Sequence, residues 1–475
     1  MKIHRHAGLT SPLVGREAEL AALQEAVDHL QAGVGGIVTV VGEAGIGKSR
    51  LVAELRRGAV TAPLRWIEGR CLSYGGSIAY LLWLDLLRGM VGVSRDDLPS
   101  AVRDPLRELV QRLCRDRSDE VYPYLGRLMN LPLGEEVAAA LEDLEGEQLK
   151  TATFRAVEIL VERAARDRPL VLVCEDLHWA DPTSMDLLEE ILDLTERAPL
   201  LIVCLFRPER EHRSWAFRES AAQDRGQLHV GLWLEPLSET EGEALVGNLL
   251  GYEGLPEQLS QRILSRAEGN PFYVEEVIRS LIDSGAIVRD ETSGRWATTR
   301  DVAEIAIPDT LQGVLAARID RLQEETRRVL QMASVIGRIF LYRVLAAIAE
   351  EEREVDNHLV TLQQEEMIRE RARLPELEYI FKHHLTQEAA YNGLLRSDRR
   401  LFHRQVAEAL ERLVPDRIGE QLGVLARHWE DAGEHSMAVE YLRRAGEQAA
   451  AQFASEEAVG YYGRALRLLP GEELV

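Results

Sequence analysis

The segment Gly42-Glu43-Ala44-Gly45-Ile46-Gly47-Lys48-Ser49 constrains this chain more than any other feature. It fits the spacing G-x-x-x-x-G-K-[ST] at every defined position. Ahead of it, Ile37 to Val41 is a β-branched run, apolar but for Thr39, that reads as a buried strand. Behind it a helix is expected to start near Gly47. Glycines let the backbone curl until its N–H groups face one point, and the helix N-terminus adds partial positive charge there. Lys48 can reach β- and γ-phosphates, and the Ser49 hydroxyl can ligate Mg²⁺. Lysine is otherwise scarce. It stands only at positions 2, 48, 150 and 382, and the other 52 of the 56 basic residues are Arg, so a motif that requires lysine is less readily met by accident.

Further strands are expected at Leu64–Glu68, Leu170–Cys174, Leu200–Phe206 and, more weakly, Leu228–Leu234. The first helix is marked by Leu20, Leu23, Val27 and Leu30 at three- and four-residue steps and stopped by Gly33, Gly35 and Gly36. Strands alternating with helices imply a parallel α/β sheet. The third strand runs into Glu175 and Asp176. Carboxylates at that end of a strand face the crevice where open α/β sheets bind ligands. One would hold Mg²⁺ and the other would orient and deprotonate an attacking water. Glu175 is taken for the metal, with Ser49, and Asp176 for the water; Asp181 is expected to cap the next helix.

Residues 78 to 150 read as helical, with Pro99, Pro105, Pro123 and Pro132 as punctuation. After Pro236 the strand signal fades, and residues 238 to 285 read as short helices. Residues 310 to 395 add a small hairpin within Met367 to Ile380, and from Leu401 everything is helical. Two segments there share one pattern, Ala438-x-x-Tyr441-x-x-x-Ala445 and Ala458-x-x-Tyr461-x-x-x-Ala465. Small and aromatic residues at these steps let helices pack closely, as in helical repeats.

Taken in order, LVGREAEL (13–20), VGEAGIGKSR (41–50), LVLVCEDLHWADPTS (170–184), LFRPER (205–210), LEPLSETEGEAL (234–245) and AEGNPFYVEEVIRSL (267–281) resemble the STAND class of P-loop ATPases. The resemblance is to its AAA-16 or origin-recognition-like subgroup, found in bacterial multidomain regulators. IPDTLQGVLAARIDRL (307–322) and FKHHLTQEAAYNGLL (381–395) extend it, so that it covers roughly residues 12 to 470. It implies a P-loop sheet of order 5-1-4-3-2, a helical lid, a winged helix and tetratricopeptide-like repeats. The corresponding spans are 1–235, 236–309, 310–396 and 397–475. It also implies a nucleotide switch with ATP or ADP and Mg²⁺ as ligands, closed with ADP and assembling with ATP, and hydrolysing slowly. The stretch from Gly42 through Glu43, Ala44, Gly45, Ile46, Gly47, Lys48 and Ser49 to Arg50 would cradle the phosphates. Gly15 and Arg16 would fold against the adenine, Arg207 would act as a sensor arginine toward the γ-phosphate, and Pro271 would pack on the base. His383 would reach the ADP β-phosphate. Glu175 stands where many relatives have Asp, a difference that bears on hydrolysis more than on binding.

Composition excludes several rivals. The net charge of −23 repels a phosphate backbone, and residues 311–395 carry 11 Arg and Lys against 14 Asp and Glu, net −3. A DNA-binding AAA+ ATPase of the origin-recognition kind is therefore the alternative reading, and nucleic acid is not the expected partner. A metabolic P-loop kinase would leave the helical C-terminal half without a role. The longest apolar run, Leu200–Phe206, is far below the roughly 20 residues of a membrane helix. Four scattered cysteines and no apolar leader point to a reducing, cytoplasmic setting. A protein partner is expected through the helical repeats, together with nucleotide-dependent assembly of copies. No effector segment is recognisable within the 475 residues, so the output is expected from elsewhere.

Overall fold

Residues 11–59, 64–72, 78–94, 97–135, 141, 146–251, 255–289, 296–349, 352–373, 376–413 and 418–469 are described by the computed structural model. The apolar runs become five parallel strands: β1 (Gly36–Val41), β2 (Arg65–Arg70), β3 (Leu170–Glu175), β4 (Leu200–Phe206) and β5 (His229–Trp233). Their order is β2-β3-β4-β1-β5, the expected one read from the other edge. Alternation along each strand splits the core in two. Val38, Val40, Val171, Val173, Leu201 and Val203 pack with Leu23, Val27 and Leu51 from the helices Glu17–Gln31 and Lys48–Gly58. Ile37, Leu172, Cys174, Ile202 and Cys204 face the other way, toward the long helix Gly146–Asp167 and the helix Pro182–Ile191. That second core runs on without a break into the C-terminal half. All four cysteines are buried and free.

Sequence punctuation misplaces two features here. Pro105 and Pro123 lie inside the helices Pro99–Leu113 and Ser118–Leu128 instead of ending them. Each removes one backbone donor, and the buried faces, Val102, Leu106 and Leu109 in the first helix and Val121 and Leu125 in the second, keep the segments helical.

Beyond β5 come the helices Glu239–Leu250, Glu257–Ala267 and Pro271–Asp283. They are followed by an antiparallel pair, β6 (Ile287–Arg289) and β7 (Trp296–Thr298), that the fading strand signal did not announce. Three-residue strands carry too little periodicity to be read. The next unit, Leu311 to Asn392, combines helices with a three-stranded antiparallel sheet of order β8-β10-β9. β9 (Ile368–Ala372) and β10 (Glu378–Phe381) form the expected hairpin, and β8 (Ile339–Leu341) is again too short to read. The helices Arg396–Leu413, Ile418–Ala432, His435–Ala451 and Ser455–Leu468 complete the chain. The two copies of the Ala/Tyr pattern are the buried faces of the last two: Ala438, Tyr441, Ala445 and Ala458, Tyr461, Ala465. No helix among the described residues is long and apolar enough to cross a membrane.

The last helix returns to the parallel sheet unit. Glu457, 2% exposed, accepts from the Thr183 N–H at 2.9 Å and the Thr183 hydroxyl at 3.0 Å. Arg213 bridges Asp186 at 3.0 Å and Glu456 at 2.6 Å beside it. We predict that Glu457→Ala, which strands the Thr183 donors, costs about 1–3 kcal/mol. Faster amide exchange at residues 182–185 and 455–468 is the expected readout; unchanged exchange would show that the apolar contacts alone hold this helix.

Candidate functional site

The loop between β1 and the helix Lys48–Gly58 curls because two of its glycines take left-handed backbone: Gly45 at φ +80 and Gly47 at φ +109. A Cβ at Gly45 would stand 3.0 Å from Asn270 Oδ1 and 3.1 Å from Phe272 Cβ, so a third part of the chain presses on the loop. Lys48 Nζ donates to the Gly42 carbonyl at 2.6 Å and to the Glu43 carbonyl at 2.9 Å. Burial pushes its pKa down to about 8, against the pull of Asp176, Glu43 and Glu175 and with the push of Arg207. The lysine thus lies in the field of both strand-end acids. Ile46 is buried, Ala44 half-buried, and Glu43 and Ser49 are exposed. Arg50 pairs with Glu275 of the helix Pro271–Asp283 at 2.7 Å and also donates to the Ser11 carbonyl.

At the end of β3, Glu175 is 7% exposed. Arg70, its register partner on β2, donates through Nε to Glu175 Oε2 at 2.6 Å. Asp176 leaves the strand in left-handed backbone, φ +57, and Arg338 Nη1 donates to its Oδ2 at 2.8 Å. Asp181 caps the helix Pro182–Ile191, accepting from Ser184 N–H at 2.8 Å, and takes Tyr80 N–H at 2.9 Å as well. Burial raises its pKa to about 7. Arg207 follows β4 and lies with its guanidinium 5.4 Å from the Trp179 ring centre. Trp179 lies between His178 and His384, its ring tilted by 45° and 43° against theirs, at 4.4 and 4.5 Å between ring centres. Among the described residues, all four ring nitrogens of His178 and His384 are buried without a hydrogen-bond partner.

The other expected residues fall around this centre. Gly15 has φ +63, and a side chain there would run into Glu241. Arg16, 5% exposed, donates to the Glu235 carbonyl at 2.5 Å, one residue beyond Leu234, which touches the Gly42 position. Pro271 opens its helix at the first position. His383 lies on the Phe272 ring, 4.0 Å between centres. Burial, with the nearby Lys382 and Arg338 charges, lowers its pKa to about 3, so it is neutral. Lys382 pairs with Glu366. Sequence reading missed Arg70, Asn270, Glu275 and Arg338. Each meets the site through a partner more than 100 residues away, and only Asn270, an N-cap residue directly ahead of Pro271, carries a local signal.

With this geometry in place, comparison with known proteins is informative. A family model described as AAA ATPase domain matches residues 12–203. Residues 12–203 are an AAA ATPase domain. A second model, a domain of unknown function, matches residues 238–293. An uncharacterized protein of Rhizobium meliloti is 28% identical over 468 residues, 96% of this chain and 43% of that protein. The peroxide stress-activated histidine kinase mak3 of Schizosaccharomyces pombe is 24% identical over 334 residues, 67% of this chain and 14% of its own length. The chain thus spans less than half the length of either relative. Among solved structures, a STAND protein with a tetratricopeptide repeat sensor from Pyrococcus horikoshii aligns with 97% of this chain and 66% of its own. The TM-score is 0.46 and the identity 13%. The ORC1 protein of Aeropyrum pernix, solved in complex with DNA, aligns with 86% of this chain and 96% of its own, at a TM-score of 0.36 and 16% identity.

Asn270 is one tie between the AAA ATPase domain and the following helices. Its side chain accepts from Phe272 and Tyr273 N–H, capping Pro271–Asp283, and donates to the Ala44 carbonyl at 2.9 Å. Asn270→Ala removes both roles. The expected loss is about 1–2 kcal/mol, the size of a helix cap, seen as a lower Tm and faster exchange in residues 43–47. Protection of the loop at the wild-type level would show that the cap acts on its own helix alone.

Proposed function

We propose that this chain is a nucleotide-gated switch of the STAND kind. It binds ATP or ADP with Mg²⁺ in the loop after β1 and hydrolyses ATP slowly. It is closed with ADP, opens and assembles with ATP, and so regulates an effector or partner protein. The observation that carries the reading is convergence on one loop. Asn270 and Glu275 hold it from one side, while Arg338 and His384 lie on the adjoining acid pair and Trp179 from another. A site clasped by units far apart in the chain is one whose contents bias their arrangement.

The residues fit a nucleotide. Two left-handed glycines and a helix N-terminus supply N–H donors, and Lys48 is held on loop carbonyls that phosphate oxygens could replace. Ser49 and Glu175 would hold Mg²⁺, which neutralises phosphate charge when bound. Asp176 would orient the attacking water and accept its proton, and Arg207 would turn from Trp179 toward the γ-phosphate. Arg16 and Pro271 would border the base. His383, neutral on Phe272, would donate one ring N–H to the ADP β-phosphate. The stacked C-terminal helices would present the surface for a protein partner. Sub-micromolar, sequence-selective binding of duplex DNA at physiological salt would instead favour the origin-recognition reading; the expected result is none.

The direct test follows from the lowered Lys48 pKa. At pH 8 about half of the free sites hold this lysine uncharged, and phosphate oxygens beside it restore the proton. Nucleotide binding at pH 8 should therefore take up about half a proton, falling toward none near pH 6.5. Calorimetry in buffers of different ionisation enthalpy reads this uptake. Lys48→Ala should abolish it and cost about 1.5–3 kcal/mol of affinity. Binding that is unaltered in that variant would sink the assignment.

A further inference from the structure

Both acids at the end of β3 are held by arginines, and the arginines differ in origin. Arg70 closes β2 and stands opposite Glu175 in the β2–β3 register. Sheet neighbours do not part unless the sheet breaks, so this pair persists however the outer units move. Arg338 is 162 residues from Asp176, in the turn between the helix Glu324–Ile336 and β8. Gly337, at φ +146, makes that turn, in a backbone region that side chains disfavour. The Arg338 side chain is 14% exposed and Asp176 22%. Among the described residues its Nε has no hydrogen-bond partner, and its Nη1 is committed to Asp176. The Arg338 carbonyl accepts from Phe381 N–H at 2.9 Å, pinning the turn to β10. From β10 the chain runs on to His383 and His384, whose rings lie on Phe272 and Trp179. A shift of this whole unit would therefore carry Arg338 away from Asp176.

We propose that Arg338 gates hydrolysis: while its unit lies on the sheet, the guanidinium occupies the carboxylate that would take the proton of the attacking water. The inference rests on the nucleotide reading above and adds the residue that regulates it. A carboxylate oxygen committed to a charge-assisted hydrogen bond is a weaker base, and the guanidinium fills space a water would need. The acid pair is then asymmetric. Glu175 meets Arg70 within the sheet through Oε2 alone, and Asp176 meets its cation only in this arrangement.

Two measurements on the full chain decide. Without nucleotide, Arg338→Gln should raise amide exchange about tenfold in residues 176–180 and 336–341, the size of one lost charge-assisted hydrogen bond. Asp176→Asn should do the same, and the double variant should add nothing to either. With ATP, single-turnover hydrolysis should be about tenfold faster in Arg338→Gln than in wild type. Arg338→Lys, which keeps the charge and serves should the glutamine variant not fold, should fall between the two. Exchange at the wild-type level in Arg338→Gln would show that the pair holds nothing, unchanged hydrolysis would make Arg338 a purely structural arginine, and slowed hydrolysis a catalytic one; each would overturn the gate. Wild-type protein that fails to bind nucleotide in the calorimetry would overturn the underlying reading instead.

Discussion

Two carboxylates placed side by side at the end of a buried strand are costly unless each meets a cation. Much of the arrangement around β3 follows from that constraint. Glu175 is answered within the sheet by Arg70, because parallel pairing sets the ends of β2 and β3 level. Asp176 turns out of the strand in left-handed backbone and is answered from outside, by Arg338. Neutralising the second acid thus requires the unit Leu311 to Asn392 to sit on the AAA ATPase domain. The apolar core agrees, since residues of both belong to one continuous cluster.

The helices between Glu239 and Asp283 attach by a different logic. They grip the loop after β1 itself, through Asn270 on the Ala44 carbonyl and Glu275 on Arg50. Phe272 lies between the loop at Gly45 and the ring of His383, so these helices are also a surface on which the third unit rests. Movement of either outer unit would be felt at the loop. The final helix closes the circuit on the far side, with Glu457 on the start of Pro182–Ile191, the same turn that Asp181 caps.

The parts of this architecture legible in the sequence are those with local signals. Val38 through Val41 and Leu170 through Cys174 announce strands by composition, and the glycine spacing around Lys48 announces the loop. Strand order followed from the resemblance, because nothing in a strand's own residues states its neighbours. Pro105 and Pro123 misled, since a buried helical face outweighed the missing donors. Arg338 was invisible for the opposite reason. It is one of 52 arginines, in a chain where arginine stands for nearly every cation, and only the fold sets it against Asp176.

This difference bears on what a motif can say. The loop spacing identifies atoms able to meet phosphate, and Lys48 is where such a motif puts it. Its amine nevertheless spends its hydrogen bonds on the Gly42 and Glu43 carbonyls, and burial holds its proton loosely. Arg207 rests on Trp179, and His383 on Phe272. Lys48, Glu175, Asp176, Arg207 and His383 are each occupied by a neighbour within the chain, while the ring nitrogens of His178 and His384 have no hydrogen-bond partner among the described residues. A ligand entering must replace those internal contacts with its own, and its net affinity is the difference between the two sets. Because Asn270, Glu275 and Arg338 belong to the outer units, that same difference would, on the proposed reading, couple the contents of the loop to the arrangement of the chain.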